Sequence, residues 1–232
     1  NATFFCLGWI AKRYPYVIKA IHERGHHIGS HSYHHQLVYE LNRKTFESDT
    51  KNSKFLLEDL VGDEIDAYRA PGFSITNEEK WAFEVLHDLG FRYDASIFGA
   101  SRGHGGYAGN DFNKPFILKY GDKELIEFPM SYVTVFTKKM VFMGGGYFRL
   151  SPKFVLKMVL KSEYNMLYLH PRDFDFNQPI LSGLPALRKF KCYYGLKATE
   201  SKLDYVLRNA KWLSLPEYMK QENMSELKTI KL

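Results

Sequence analysis

Short apolar runs closed by glycine or a polar cluster alternate with amphipathic stretches over the first hundred residues. Residues 3–8 (TFFCLG) read as a buried strand. Pro15 sets the first turn of a helix that runs to about Arg24, where Gly25 stops it. Residues 26–31 form the next strand. A helix is expected from Thr45, as its N-cap, to Leu60, with Phe55, Leu56 and Leu60 on one face. Residues 67–69 make a short strand cut by Pro71. Thr76 and Glu79 form a capping box that opens a helix ending at Gly90, and residues 91–96 return as a strand. Strand and helix at this spacing define parallel β/α units.

The pattern changes in the middle of the chain. Residues 101–109 contain four glycines and read as a surface loop. Residues 116–119, 124–128 and 131–136 alternate like hairpin strands. Ser151 and Pro152 start a helix with Phe154, Val155, Met158 and Val159 as its apolar stripe, and residues 165–170 read as a buried strand. Beyond Pro185 the chain is helical and lysine-rich, and is expected to pack on the outside of a barrel.

Length and composition narrow the class. With 232 residues, 45% of them apolar and 16% aromatic, one α/β domain with a sizeable core is expected, spanning 1–232 with an extension over 183–232. No stretch approaches the ~18 consecutive apolar residues of a membrane span, and no basic segment leads into an apolar run as in a signal peptide. Two cysteines, Cys6 and Cys192, are too few for a disulfide framework and read as buried reduced thiols. The net charge of +6 would suit an anionic glycan or a lipid-phosphate carrier. The lysines are nevertheless interspersed with Glu and Asp and accompany no nucleic-acid motif, so no nucleic-acid partner is expected.

Four polar clusters stand at the ends of successive strands. The first is His31-Ser32-Tyr33-His34-His35, where His31 and His35 can converge on one cation if the segment turns helically. His26, His27 and His34 read as non-ligands. The second is Arg69-Ala70-Pro71-Gly72-Phe73, where the arginine can orient a carboxylate. The third, residues 93–98, places Asp94 at a strand end, and the fourth places His170 at another. Any one of these alone reads as ordinary surface. Together they form a constellation, because in a parallel barrel such ends meet on one face. Gly144-Gly145-Gly146 lacks the Lys-Ser or Lys-Thr of a phosphate loop and reads as a flexible turn.

The four clusters in this order resemble the polysaccharide deacetylase family, the NodB homology domain. The likeness rests on Ala2-Thr3-Phe4-Phe5, on Gly25 through His35, on Arg69-x-Pro71, on Asp94 through Phe98, and on Leu169-His170. The segments 68–75, 144–149 and 168–171 resemble a bacterial subgroup associated with exopolysaccharide biosynthesis. The resemblance implies a distorted (β/α) barrel with an inserted hairpin and a C-terminal helical extension. It implies hydrolysis of N-acetyl groups on amino sugars of a polysaccharide or its precursor, with a divalent metal, Zn²⁺ foremost, as cofactor and an N-acetylated glycan as partner. It assigns no oligomeric state. The compartment it suggests is cytoplasmic or membrane-peripheral, with the cell envelope as the alternative.

Carried over residue by residue, the resemblance makes His31 and His35 metal ligands, Arg69 the orienter of the catalytic carboxylate and Asp94 its brace. It makes His170 the general acid and the Gly72 amide an oxyanion donor. It makes Tyr147, His104, Tyr107, Phe73 and Tyr168 candidate walls of the sugar site. Gly72, Phe98 and Tyr168 depart from the residues common at their positions. The family's first motif, an aspartate-bearing strand that supplies the base and a carboxylate ligand, belongs about one β/α unit before Ala2. In its absence residues 3–7 are expected at an open edge, with weak metal affinity and little activity. Asp173 or Asp94 is then the substitute base to consider. The rival reading is a glycan-binding pseudoenzyme, and the blandest is a structural domain whose histidines bind nothing.

Overall fold

The computed structural model describes residues 1–99, 107, 112–222 and 224–232. The chain groups into two compact units, Asn1–Met130 with Trp212–Leu232, and Ser131–Lys211, so the extension expected from residue 183 is divided between them.

The first unit opens with β1 (Thr3–Cys6), α1 (Gly8–Arg13), α2 (Pro15–Glu23) and β2 (His27–Ser30). Pro15 is at the helix start and Gly25, at φ 78°, lets the chain reverse into the strand. Next come α3 (Arg43–Val61), β3 (Ala67–Tyr68), α4 (Trp81–Asp88) and β4 (Tyr93–Asp94). The cap of α3 is Asn42, not Thr45: its side chain accepts the Thr45 N–H at 2.9 Å. The buried face of α3 is Phe46, Thr50, Ser53 and Leu57, while Phe55 is exposed. Thr76 and Glu79 do bond to each other, but in the turn before α4. The antiparallel hairpin β5 (Phe116–Tyr120) and β6 (Lys123–Glu127) follows.

The second unit holds a small hairpin, β7 (Val133–Val135) with β8 (Lys138–Met140). It continues with α5 (Gly145–Leu150), α6 (Lys153–Val159), α7 (Ala186–Tyr193) and α8 (Thr199–Asn209). Residues 144–149, expected as a turn, are largely helical. On α6 the buried residues are Leu156 and Val159, and Phe154 and Met158 are exposed. Five of the seven residues of KFVLKMV are apolar, so its period admits more than one face. Residues 165–170 make a single bridge, Tyr168 to Gly144, and are half-buried instead of forming a buried strand. Cys192 is likewise half-buried, whereas Cys6 is buried, which pushes its thiol up to about 12; both are free.

The chain then returns to the first unit as α9 (Leu215–Gln221) and β9 (Thr229–Lys231). The sheet of that unit runs β1-β2-β3-β4-β6-β5-β9, parallel throughout except for the β5–β6 hairpin. Its core joins Ile18, Ile28, Phe46, Leu57, Tyr68, Phe83, Leu86, Phe91, Leu118, Leu125 and Ile230. This is an α/β fold of the distorted (β/α) barrel type. Among the described residues no helix is long and apolar enough to cross a membrane.

α9 fastens the edge strand. Ser214 and Glu217 form a capping box, Asn1 Nδ2 donates to Glu217 at 2.7 Å, and Leu215 N–H donates to Thr3 Oγ1 at 3.0 Å. These donors hold the Glu217 carboxyl down to about 2. Ser214→Ala should therefore lower global stability by about 1 kcal/mol, the usual cost of losing a helix cap, and urea unfolding monitored by circular dichroism will measure it.

Candidate active site

The histidine turn leaves the carboxyl end of β2 and is set from below by α3. Asp49, buried on that helix, accepts from Tyr33 N–H at 2.7 Å, from His34 N–H at 3.2 Å and from the His34 ring at 2.8 Å. Ser53 donates to the Ser32 carbonyl at 3.0 Å, and Ser32 Oγ accepts the His35 N–H at 2.9 Å. The segment is no helical turn: Ser32 and His35 sit at φ 68° and 63°. These bonds and left-handed residues bring the His31 and His35 rings to a centroid distance of 5.1 Å.

His31 Nδ1 donates to the Arg69 carbonyl at 2.6 Å, and this fixes the tautomer whose Nε2 lone pair a metal ligand needs. His35 is exposed and His31 half-buried. The pair therefore fits two positions of an imidazole-preferring divalent ion. Among the described residues no group of three or more His, Cys, Asp or Glu side chains gathers to complete such a site. His34 is engaged by Asp49. His27 lies between Asp66 at 2.9 Å and Thr3 at 3.1 Å, and His26 packs on Phe4.

Arg69 follows β3 and is buried. Its guanidinium lies 4.4 Å from the centre of the Phe5 ring and 5.8 Å from that of Phe73, and Nε donates to the Ala95 carbonyl at 3.0 Å. Gly72 and Phe73 both adopt left-handed backbone, at φ 62° and 55°. Phe73 is 1% exposed and packs on Phe98, so it supports Arg69 and offers no sugar-facing surface.

Asp94 and Glu127 face each other across the parallel β4–β6 pair, both fully buried. Asp94 accepts from Ser96 Oγ at 2.6 Å, and Ser96 in turn accepts the Ala70 N–H at 2.8 Å. Asp94 thus connects to the arginine turn through the Ser96 hydroxyl. Glu127 Oε1 accepts from Ile97 N–H at 2.8 Å, and Oε2 finds no donor. Burial, and then the Asp94 charge, push the Glu127 carboxyl well above the usual range; the Arg69 charge pulls the other way. Burial raises Asp94 as well. One proton shared by the pair supplies the missing donor. Such a buried group cannot serve as a water-facing base, which removes Asp94 from that role. Glu127 escaped the motif reading, although period-two alternation puts it on the buried face of β6 beside Leu125.

In the second unit, His170 Nε2 meets the Tyr168 hydroxyl at 2.8 Å, and its N–H donates to Asp173 Oδ2 at 2.9 Å. Asp173 is buried and ion-paired with the buried Arg149, so it too is unsuited as a base. Tyr147 is 48% exposed on α5. Tyr107, expected in the sugar site, is buried against Phe112, which raises its hydroxyl to about 12. His104 and the rest of the expected glycine loop lie outside the described residues.

Parallel strands thus end in a paired-histidine turn, a buried arginine and a buried carboxyl pair. Residues 1–93 match the polysaccharide deacetylase family model, and residues 95–220 match a domain of unknown function, DUF3473. The chain belongs to the family defined by that second domain, and its first 93 residues are similar to the polysaccharide deacetylases.

A peptidoglycan-N-acetylglucosamine deacetylase of Bacillus cereus is 34% identical over 85 residues, 36% of this chain and 31% of that protein. A peptidoglycan deacetylase of Helicobacter pylori is 31% identical over 121 residues, 52% of this chain and 36% of that protein. The chain thus spans about a third of the length of these curated relatives. Among solved structures, a Mycobacterium smegmatis protein assigned to the polysaccharide deacetylases aligns with a TM-score of 0.51 at 20% identity, covering 90% of this chain and 73% of that one. A CE4 family pseudoenzyme from Bacillus anthracis also gives 0.51, at 12% identity, covering 100% and 59%. At these identities the likeness concerns the fold.

The shared proton has a measurable sign. A folded state that binds more protons than the unfolded chain loses stability as pH rises above the ordinary carboxylate range. Glu127→Gln keeps a neutral group beside Asp94 and reduces this loss, leaving the part due to burial of Asp94. Urea unfolding at pH 5 and pH 8 should show a smaller decline for Glu127→Gln than for the unsubstituted chain, and equal declines would rule out the shared proton.

Proposed function

We propose that this chain removes N-acetyl groups from amino sugars of a glycan by metal-dependent hydrolysis, with His31 and His35 holding the ion. The observation that carries this reading is the histidine pair, rings 5.1 Å apart, with His31 Nδ1 committed to the Arg69 carbonyl. The deacetylase match over residues 1–93 and the curated relatives, by their names peptidoglycan deacetylases, support the same substrate class.

An amide carbonyl is a poor electrophile, and a bound divalent ion such as Zn²⁺ polarises it and lowers the pKa of the attacking water. The protein's own residues then have distinct tasks. Arg69, desolvated between aromatic rings, orients a carboxylate. The Gly72 amide is the candidate oxyanion donor. His170, whose ring meets the Tyr168 hydroxyl and whose backbone N–H donates to Asp173, is the residue to which the family resemblance gives the role of general acid. Tyr147 is the candidate platform for a sugar ring. The substrate is an N-acetylhexosamine polymer or its lipid-linked precursor in exopolysaccharide assembly.

A second reading, a glycan-binding protein with impaired catalysis, has one observation in its favour. A solved structure of similar fold is described as a CE4 family pseudoenzyme.

Elemental analysis after loading with zinc should show His31→Ala and His35→Ala losing the metal and His34→Ala retaining it. Loss confined to the His34 variant would overturn the ligand assignment. Acetate release from a chitin oligomer and from peptidoglycan tests the activity. His170→Ala should keep its metal and lose about 10²–10⁴-fold in rate. Glycan binding with no acetate release by the metal-loaded chain would establish the second reading.

A further inference from the structure

The second unit carries a surface that its own fold leaves uncovered. Helix α7 has no buried residue. Leu187 is 67% exposed, Phe190 47% and Tyr194, just past the helix, 53%. These positions fall at i, i+3 and i+7 and make one stripe. The helix is anchored through its last turn, where the Arg149 guanidinium donates to the carbonyls of Lys191, Cys192 and Tyr194. The preceding loop adds Ile180 and Leu181, 62% and 59% exposed. Tyr193 ties that loop to the helix: its hydroxyl accepts the Leu181 N–H at 2.9 Å and donates to the Pro179 carbonyl at 3.2 Å. The exposed apolar groups are therefore parts of one fixed element.

Charge on this stretch is one-sided. No acidic residue occurs between Asp175 and Glu200, while Arg188, Lys189, Lys191 and Lys197 supply four cations. On α7, Arg188 and Lys191 lie beside the Leu187–Phe190 stripe. A short helix with an apolar stripe and a cationic flank suits the interface of an anionic bilayer, its side chains entering the headgroup boundary and its cations meeting phosphates. A soluble anionic glycan would use the cations and aromatic rings but gain little from Ile180, Leu181 and Leu187. We propose that α7 and the 179–181 loop form a docking surface for an anionic lipid bilayer, holding the protein peripherally and reversibly at a membrane.

Co-sedimentation with vesicles tests this directly. The intact chain should bind vesicles of phosphatidylcholine with phosphatidylglycerol at least ~10-fold better than phosphatidylcholine alone, since each cation near an anionic surface contributes about fivefold. Leu187→Ser with Phe190→Ser, and separately Arg188→Glu with Lys191→Glu, should each reduce binding ~10-fold or more without lowering the unfolding temperature. Equal binding to both vesicle types, or undiminished binding by the apolar variant, overturns the proposal. So does a dimer in light scattering that the apolar variant dissolves while vesicles capture nothing, which would assign the surface to a second copy. Retention on a soluble anionic polysaccharide without vesicle binding would overturn it in favour of a glycan.

Discussion

Two carboxyl groups at zero exposure, Asp94 and Glu127, set the terms for the first unit. Neither can ionise freely in a dry interior, and the charge of Asp94 opposes ionisation of Glu127. Their environment has to supply donors, and it does so through Ser96, the Ile97 amide and a shared proton, with the Arg69 charge nearby. Each of these connections reaches a neighbouring strand end. Ser96 holds the Ala70 amide, the Ala95 carbonyl holds Arg69 Nε, and the Arg69 carbonyl holds His31. A series of hydrogen bonds and short backbone links therefore runs from β6 to the histidine pair.

The pair also joins the two sequence families. The deacetylase match ends at residue 93 and the domain of unknown function begins at residue 95, yet β4 and β6 lie in one sheet. The second family supplies Ser96, the Ile97 amide and the carboxyl of Glu127, while Asp94 stands at the boundary between the two matches. The deacetylase residues alone would expose the edge that β6 covers, which is why the compact unit extends to Met130 and takes back residues 212–232.

Much of the first unit was legible in the sequence because its signals are local. Gly25 and Pro15 punctuate helices by backbone geometry, and short apolar runs mark buried parallel strands. The position of His31 at a strand end followed from that spacing. The means of bringing His35 beside it did not, because two left-handed residues and a carboxylate from a helix fifteen residues away are tertiary facts. Glu127 was missed because a charged residue type suggests solvent, although its alternation with Leu125 places it on the buried face of β6. In the second unit, α6 carries five apolar residues in seven, more than its buried face holds, so its period does not single out Leu156 and Val159. Residues 165–170 are held by side-chain bonds to Ser131 and Asp173, which no periodicity records.

The return of α9 and β9 to the first unit has a consequence for how the protein is made. β9 pairs with β5 across more than a hundred residues of chain, and Glu217 caps its helix while holding Asn1. A ribosome releases the chain from its beginning, so β5 waits as a bare edge until residue 231 has emerged. Through that interval its apolar residues, Ile117 and Leu118, are exposed to other nascent chains. The order of synthesis therefore makes the emergence of residues 212–232 the event that closes the first unit.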